Sequence, residues 1–184
     1  MLGVNVESKT RCADLEAVAR LAATLGARYE GRLDQVDTYF RVPSGRLKLR
    51  EIVRRAPDGR VSSSAELIRY DRPDQTGARV SRYERTDIDD PEACRARLEA
   101  EQGLRGQVRK RRELWILEST RIHLDRVERL GDFVELETVS GGTPGPADRR
   151  EHDRISSALR LDPRVSIEGS YIDLLEPTAP VPSS

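Results

Sequence analysis

The 184-residue chain is poor in aromatics and cysteines, has no long hydrophobic run, and carries no excess of either charge. Two cysteines, Cys12 and Cys94, are too few and too far apart for a disulfide framework or a zinc site, and they fit a reducing compartment. No window approaches the roughly 18 consecutive apolar residues of a membrane span, and the opening MLGVNVESK has no apolar targeting core. With 32 Lys plus Arg against 32 Asp plus Glu the formal net charge is zero, so the surface as a whole is not a polyanion binder. Any electrostatic function has to come from local sorting of charge. The expectation is a cytoplasmic chain, monomer or homodimer, with neither a membrane nor a nucleic acid as partner.

Charged residues make up 35% of the chain and aromatics 4%. Such numbers approach disorder, but the apolar residues recur in alternating runs and at helical spacing, which disordered chains lack. The length suits one domain, expected over 1–176, with PTAPVPSS at 177–184 as a disordered tail. In ADLEAVARLAATLGA, Asp14 can cap a helix, Leu15, Val18, Leu21, Ala22 and Leu25 form a stripe, and Gly26 can end it. In DDPEACRARLEAEQG, Asp90, Pro91 and Gly103 punctuate a second helix. ADRREHDRISSALRL predicts a third, and SIEGSYIDLL a short final segment. About eight stretches read as strands: VNVESKTR, QVDTYFRV, RLKLREIVRR, SAELIRYDRP, ARVSRYERTDI, GQVRKRRELWILES, TRIHLDRV and DFVELETVS. Pro73 and Gly77 mark the turn between the fourth and fifth.

Alternation then sorts the charge. In TRIHLDRVERLGDFVELE, Arg121, His123 and Asp125 occupy one face of a strand, and Glu135 and Glu137 return on the same face after a glycine turn, while Ile122, Leu124, Val134 and Leu136 take the other. The same parity places Asn5, Glu7 and Lys9 on one face, then Arg46, Lys48 and Arg50, and then Lys110 and Arg112. The apolar faces need cover, and amphipathic helices can supply it from outside. The predicted fold is therefore α+β: an antiparallel eight-stranded barrel with a charged interior and helices packed outside. Its channel would hold Lys9, Arg46, Lys48, Arg50, Arg69, Lys110, Arg112 and Arg121 against Glu7, Asp125, Glu135 and Glu137. Unpaired buried charge costs several kcal/mol, so eight cations facing four anions call for water or a polyanion. A triphosphate with a divalent cation balances both sets, the cations on phosphate oxygens and the carboxylates as hard ligands for Mg2+ or Mn2+.

These residues, in this order, resemble the CYTH family, the triphosphate tunnel metalloenzymes that include class IV adenylyl cyclases and thiamine triphosphatases. NVESK is similar to the family's ExExK signature. DTYF, LKLRE, VRKRR, the hairpin above and SYIDLL follow in family order, and the hairpin and SYIDLL are most similar to the cyclase branch. The resemblance implies metal binding by Glu7, Glu135 and Glu137 with Asp125 close by. It implies triphosphate binding by Lys9, Arg50, Arg69, Lys110 and Arg112, joined by Arg46, Lys48 and Arg121. Lys9, Arg112 and Asp125 are the expected catalytic residues. One departure stands out: Asn5 occupies the position of the signature's first Glu, so an amide oxygen replaces a carboxylate among the metal ligands.

Three functions are consistent with this reading. Adenylyl cyclase chemistry takes ATP to cyclic AMP and pyrophosphate; a triphosphatase would send water to the terminal phosphorus of tripolyphosphate, thiamine triphosphate or a nucleotide; a triphosphate or polyphosphate binding protein would turn little over. RKRR at 109–112 is divided between two faces by alternation and lacks interleaved aromatics, which argues against nucleic acid. GGTPG lacks the Lys and Ser or Thr of a phosphate-binding P-loop. His123 reads as a hydrogen-bonding wall residue, and Tyr39, Phe40, Tyr70 and Tyr83 as packing residues.

Overall fold

Strands that alternate ionic and apolar residues can bury both faces only if the sheet curls on itself and something covers its back. The computed structural model, which describes residues 2–71 and 79–175, does both. Eight strands, β1 (Leu2–Arg11), β2 (Arg28–Phe40), β3 (Arg46–Arg55), β4 (Val61–Asp71), β5 (Arg79–Asp87), β6 (Leu104–Leu117), β7 (Thr120–Val127) and β8 (Gly131–Ser140), close into a barrel in the order β1-β5-β4-β3-β2-β6-β7-β8. Every neighbouring pair is antiparallel, and β1 completes the ring by pairing with both β5 and β8. Pro73, Gly77 and the tail at 177–184 lie outside the described residues.

Four helices pack outside or across one end: α1 (Leu15–Thr24), α2 (Pro91–Gln102), α3 (Pro146–Ala158) and the short α4 (Tyr171–Leu175), the last preceded by a 3-10 turn at Pro163–Val165. The predicted caps form. Asp14 accepts from the Ala17 amide at 2.8 Å and Asp90 from the Ala93 amide at 3.0 Å, and Gly103 ends α2 with its amide on the Glu99 carbonyl. The outer faces of β7 and β8 disappear under α1 and α3, where Ile122, Leu124, Val134 and Leu136 meet Leu15, Val18, Ala22, Ile155 and Leu159. On the far side Cys94 and Leu98 of α2 cover Phe40, Leu47, Leu49 and Ala65. No described helix is long and apolar enough to cross a membrane.

One end of the interior is plugged. Tyr39, Ile68, Tyr70, Val108, Val127 and Phe133 converge there on Tyr171 and Ile172 of α4. The approach is close because residue 106 is glycine: a Cβ at Gly106 would lie 2.8 Å from the Ile172 side chain. Asp173 anchors α4 from below, accepting from Arg46 at 2.8 Å and Arg105 at 2.6 Å. Outside the barrel, a buried polar chain ties α3 to the strands. His152 contacts Ser8 Oγ at 2.8 Å and Thr138 Oγ1 at 3.2 Å, and Thr138 Oγ1 meets Thr120 Oγ1 at 2.8 Å.

Candidate active site in the barrel interior

From the plug toward the open end, each strand carries an ordered series of inward side chains. A cavity of about 520 Å3 runs along them, lined by residues of every strand and by Ser170 and Tyr171. Nearest the plug lie Lys9, Lys48, Arg50 and Lys110. Next come Arg112, Glu7, His123 and Glu135, and then Glu137, Arg121, Leu33, Leu114 and Arg54 at the mouth, where Ser62 and Ser64 are solvent-exposed. A larger groove of about 1080 Å3 involves outward residues of β2, β3 and β6, where Asp34 pairs with Arg111 and Glu51 with Arg95.

The cationic wall is organised by Asp37. Its carboxylate accepts from Arg50 at 2.7 and 2.8 Å and from Lys48 at 2.9 Å, with Lys110 at 3.8 Å. Burial opposes the Asp37 charge, but Arg50, Lys48 and Lys110 outweigh it and hold the carboxyl well below its ordinary range. The lysines go the other way. Burial, then Arg50, lowers Lys48 to about 8, and burial, then Arg112, lowers Lys110 to about 7. Lys9 and Lys110 lie over the Tyr171 ring at 4.1 and 5.0 Å, a cation–π floor.

Arg112 forms the hub of the opposite wall. It donates to both Asp125 oxygens at 2.6 Å and to Glu135 at 2.6 Å. Tyr171 donates its hydroxyl to Asp125 at 2.8 Å. Burial works against the Asp125 charge, Arg112 and Lys110 more than offset it, and the carboxyl is lowered to about 2. Glu135 is also held low, because Lys9, the neighbouring His123 ring and Arg112 outweigh its burial.

Mouthward of this hub the register juxtaposes Glu7 with Glu137, His123 with Glu135, and Arg121 with Glu137. Like charges directly opposite destabilise a sheet, and Glu7 is only 5% exposed. His123 Nδ1 is buried without a hydrogen-bond partner, its nearest carboxylate oxygens on Glu135 and Glu137 at 3.9 and 3.8 Å. Asn5 Oδ1 is likewise buried and unpartnered. Ligand atoms of His123, Glu135 and Glu137 lie within 4.8 Å of one another. Two carboxylates, Glu135 and Glu137, with the orphaned ring nitrogen of His123 make a donor set that fits a divalent cation, and Glu7 and Asn5 lie on the same inner surface one strand away.

Most of the expected site residues meet in this cavity: Asn5, Glu7, Lys9, Lys48, Arg50, Lys110, Arg112, Arg121, Glu135 and Glu137. Three do not. Arg69 is exposed on the outer face, opposite Leu47, because the inward parity of β4 belongs to Glu66, Ile68 and Tyr70; a shift of one residue exchanges faces. Arg46 points inward but lies behind the plug, held by Asp173. Asp125 is fully buried with both oxygens bonded to Arg112 and one also to Tyr171, so it orients the arginine and has no free edge for a metal. Asp37, Gln35 and Tyr171 were missed. QVDTYF offered the signal, since its alternation sets Gln35, Asp37 and Tyr39 on one face.

A closed antiparallel barrel, apolar outside under helices and ionic within, defines the triphosphate-tunnel class of fold. The CYTH domain profile matches residues 4–171, and the chain belongs to the CYTH domain family, whose members act on triphosphates with divalent cations. No curated protein matches by sequence. Among solved structures, the PH1012 protein of Pyrococcus horikoshii superposes with a TM-score of 0.75 at 23% identity, over 92% of this chain and 98% of that one. A candidate adenylate cyclase from Vibrio parahaemolyticus gives 0.69 at 20% identity, over 94% and 98%. A candidate adenylyl cyclase from Hippeastrum, described as having a dominant triphosphatase activity, gives 0.59 at 16% identity, over 92% and 94%.

Proposed function

We propose that the chain is a metal-dependent adenylyl cyclase that converts ATP to cyclic AMP and pyrophosphate inside the barrel. The observation that carries this reading is the order of groups along the tunnel: plug, lysine and arginine layer, carboxylate and imidazole layer, then a mouth with the apolar side chains Leu33, Ile52 and Leu114. A triphosphate entering tail first has its terminal phosphates on Lys9, Lys48, Arg50 and Lys110, and its α-phosphorus beside the metal-fitting layer. The nucleoside remains at the mouth. The ribose 3′-hydroxyl gives its proton to water at the open mouth, its oxygen forms the new bond to the α-phosphorus, and the bond to the bridging oxygen breaks as pyrophosphate leaves. A divalent ion on Glu7, Glu135 and Glu137 would neutralise charge on the phosphate oxygens. Lys9 and Arg112 stabilise the charge that moves onto the leaving pyrophosphate, and Asp125 acts as a positioning residue that fixes the Arg112 guanidinium.

A second reading, hydrolysis of a triphosphate, draws on the water-accessible mouth around Ser62 and Ser64 and on the activity named for the Hippeastrum protein. Phosphorus NMR on ATP and, separately, tripolyphosphate with Mg2+ or Mn2+ distinguishes the two. Pyrophosphate with an equal amount of cyclic AMP, abolished in Glu135→Ala, supports the cyclase. Orthophosphate without cyclic nucleotide replaces it with the triphosphatase.

A further inference from the structure

Asn5 and His123 together give the tunnel a donor set that differs in kind from an all-carboxylate one. At residue 5 a neutral amide oxygen stands where a carboxylate would supply a hard anionic ligand. Across the barrel wall, on β7, an imidazole faces Glu135 in register and lies 3.8 Å from Glu137. Its Nδ1 is buried and unpartnered, in a residue only 4% exposed. A buried ring nitrogen without a hydrogen bond costs about 1–3 kcal/mol, and an ion shared with the two carboxylates removes that cost. Hard oxygen donors suit Mg2+, whereas imidazole nitrogen binds first-row transition ions in preference.

We propose that His123 is a metal ligand, and that the tunnel is thereby biased toward first-row transition ions over Mg2+, strongly for Co2+ and least for the oxygen-preferring Mn2+. The inference rests on the tunnel's being a metal site, as proposed above, and concerns which ion it takes. Lys9 and Arg112 already neutralise Glu135, so the removal of a further anionic ligand at Asn5 weakens the site most for the ion that depends most on charge. The nitrogen restores affinity selectively for the softer ones.

The chain has two histidines, and His152 is held by Ser8 and Thr138 outside the barrel. A histidine nitrogen coupled to a bound ion therefore belongs to His123. The test is pulsed EPR on the Mn2+-loaded protein without nucleotide, carrying ordinary or 15N-labelled histidine, together with calorimetric titration of Mn2+, Co2+ and Mg2+. The expected result is 14N modulation that changes to 15N on labelling. His123→Ala and His123→Gln should each lose at least about tenfold in Co2+ affinity, less in Mn2+ affinity, and less than about threefold in Mg2+ affinity. Mn2+ binding without histidine coupling, or equal losses for all three ions, would overturn the assignment of His123 and leave the metal site standing. No binding of any of the three ions would overturn both.

Discussion

Two walls of the same tunnel hold buried charge in opposite ways. On the β2–β3–β6 side Asp37 sits among Arg50, Lys48 and Lys110 with its oxygens fully engaged. On the β1–β8–β7 side Glu7 faces Glu137, and the orphaned atoms of Asn5 and His123 lie beside them. The first wall is a paired ion cluster with cations to spare for phosphate, and its one unpartnered cavity atom among the described residues is the neutral amide oxygen of Gln35. On the second, Glu137 pairs with Arg121 and Glu135 with Lys9 and Arg112, but the Asn5 oxygen and the His123 ring nitrogen stay unsatisfied, and unsatisfied buried atoms of this kind persist where a ligand relieves them. Buried ion pairs are therefore a poor guide to function by themselves; the informative quantity is which buried polar atoms remain without partners.

The hub between the walls carries the largest expected effect. Arg112→Met strands Asp125 and Glu135 as buried anions, and thermal or denaturant unfolding should register a loss of about 3–5 kcal/mol, with triphosphate binding lost as well. A smaller effect separates the walls cleanly. Glu137→Gln removes one of two opposed carboxylates, so the metal-free protein should change by less than about 1 kcal/mol while Mn2+ affinity measured by calorimetry falls at least about tenfold; a large loss of metal-free stability would show that the second wall is a structural ion pair after all.

The first wall has a pH signature of its own. Lys110 and Lys48 sit at about 7 and about 8, below the ordinary 10.5. The unfolded chain thus binds more protons than the folded one between those values and 10.5. The penalty on folding is present in full below pH 7 and is relieved as the pH rises toward 10.5. A bound polyanion raises both lysines, so tripolyphosphate binding near pH 8.5 should take up about one proton or more, against almost none near pH 6. Calorimetry in buffers of different ionisation enthalpy measures the difference, and an uptake independent of pH would contradict it. The smallest effect belongs to the arginine that joined neither wall: Arg69→Ala should shift stability by less than about 0.5 kcal/mol and leave triphosphate affinity within about twofold.

Arg69 also shows where sequence reading stops. The hairpin at 120–137 is legible because its apolar positions are uniform, so parity has one solution; β1 and β6 follow the same rule. In β4 charge falls on both parities, Glu66 on one and Arg69 on the other, and only pairing with β3 decides that Arg69 lies opposite the covered Leu47. Asp37 was legible in principle from the alternation of QVDTYF, but its role was not, since it depends on cations from two other strands. The partnership of Arg46 with Asp173 spans 127 positions, and no local pattern encodes it. The barrel and its helices were readable because they follow from periodicity; the division of charges into satisfied and unsatisfied depends on closure of the ring.

Alternation also makes the back of each strand a record of its front. Ser8 lies between Glu7 and Lys9, Thr138 follows Glu137, and Thr120 precedes Arg121; behind them His152 bridges Ser8 and Thr138, and Thr138 meets Thr120. The row of hydroxyls under α3 is thus a splint on the reverse side of the row that carries Glu7, Glu137 and Arg121. Spacing between those inner groups is set by bonds that no tunnel ligand ever touches. A helix that hides an apolar surface is also, on this strand trio, the ruler against which the proposed metal positions are laid out.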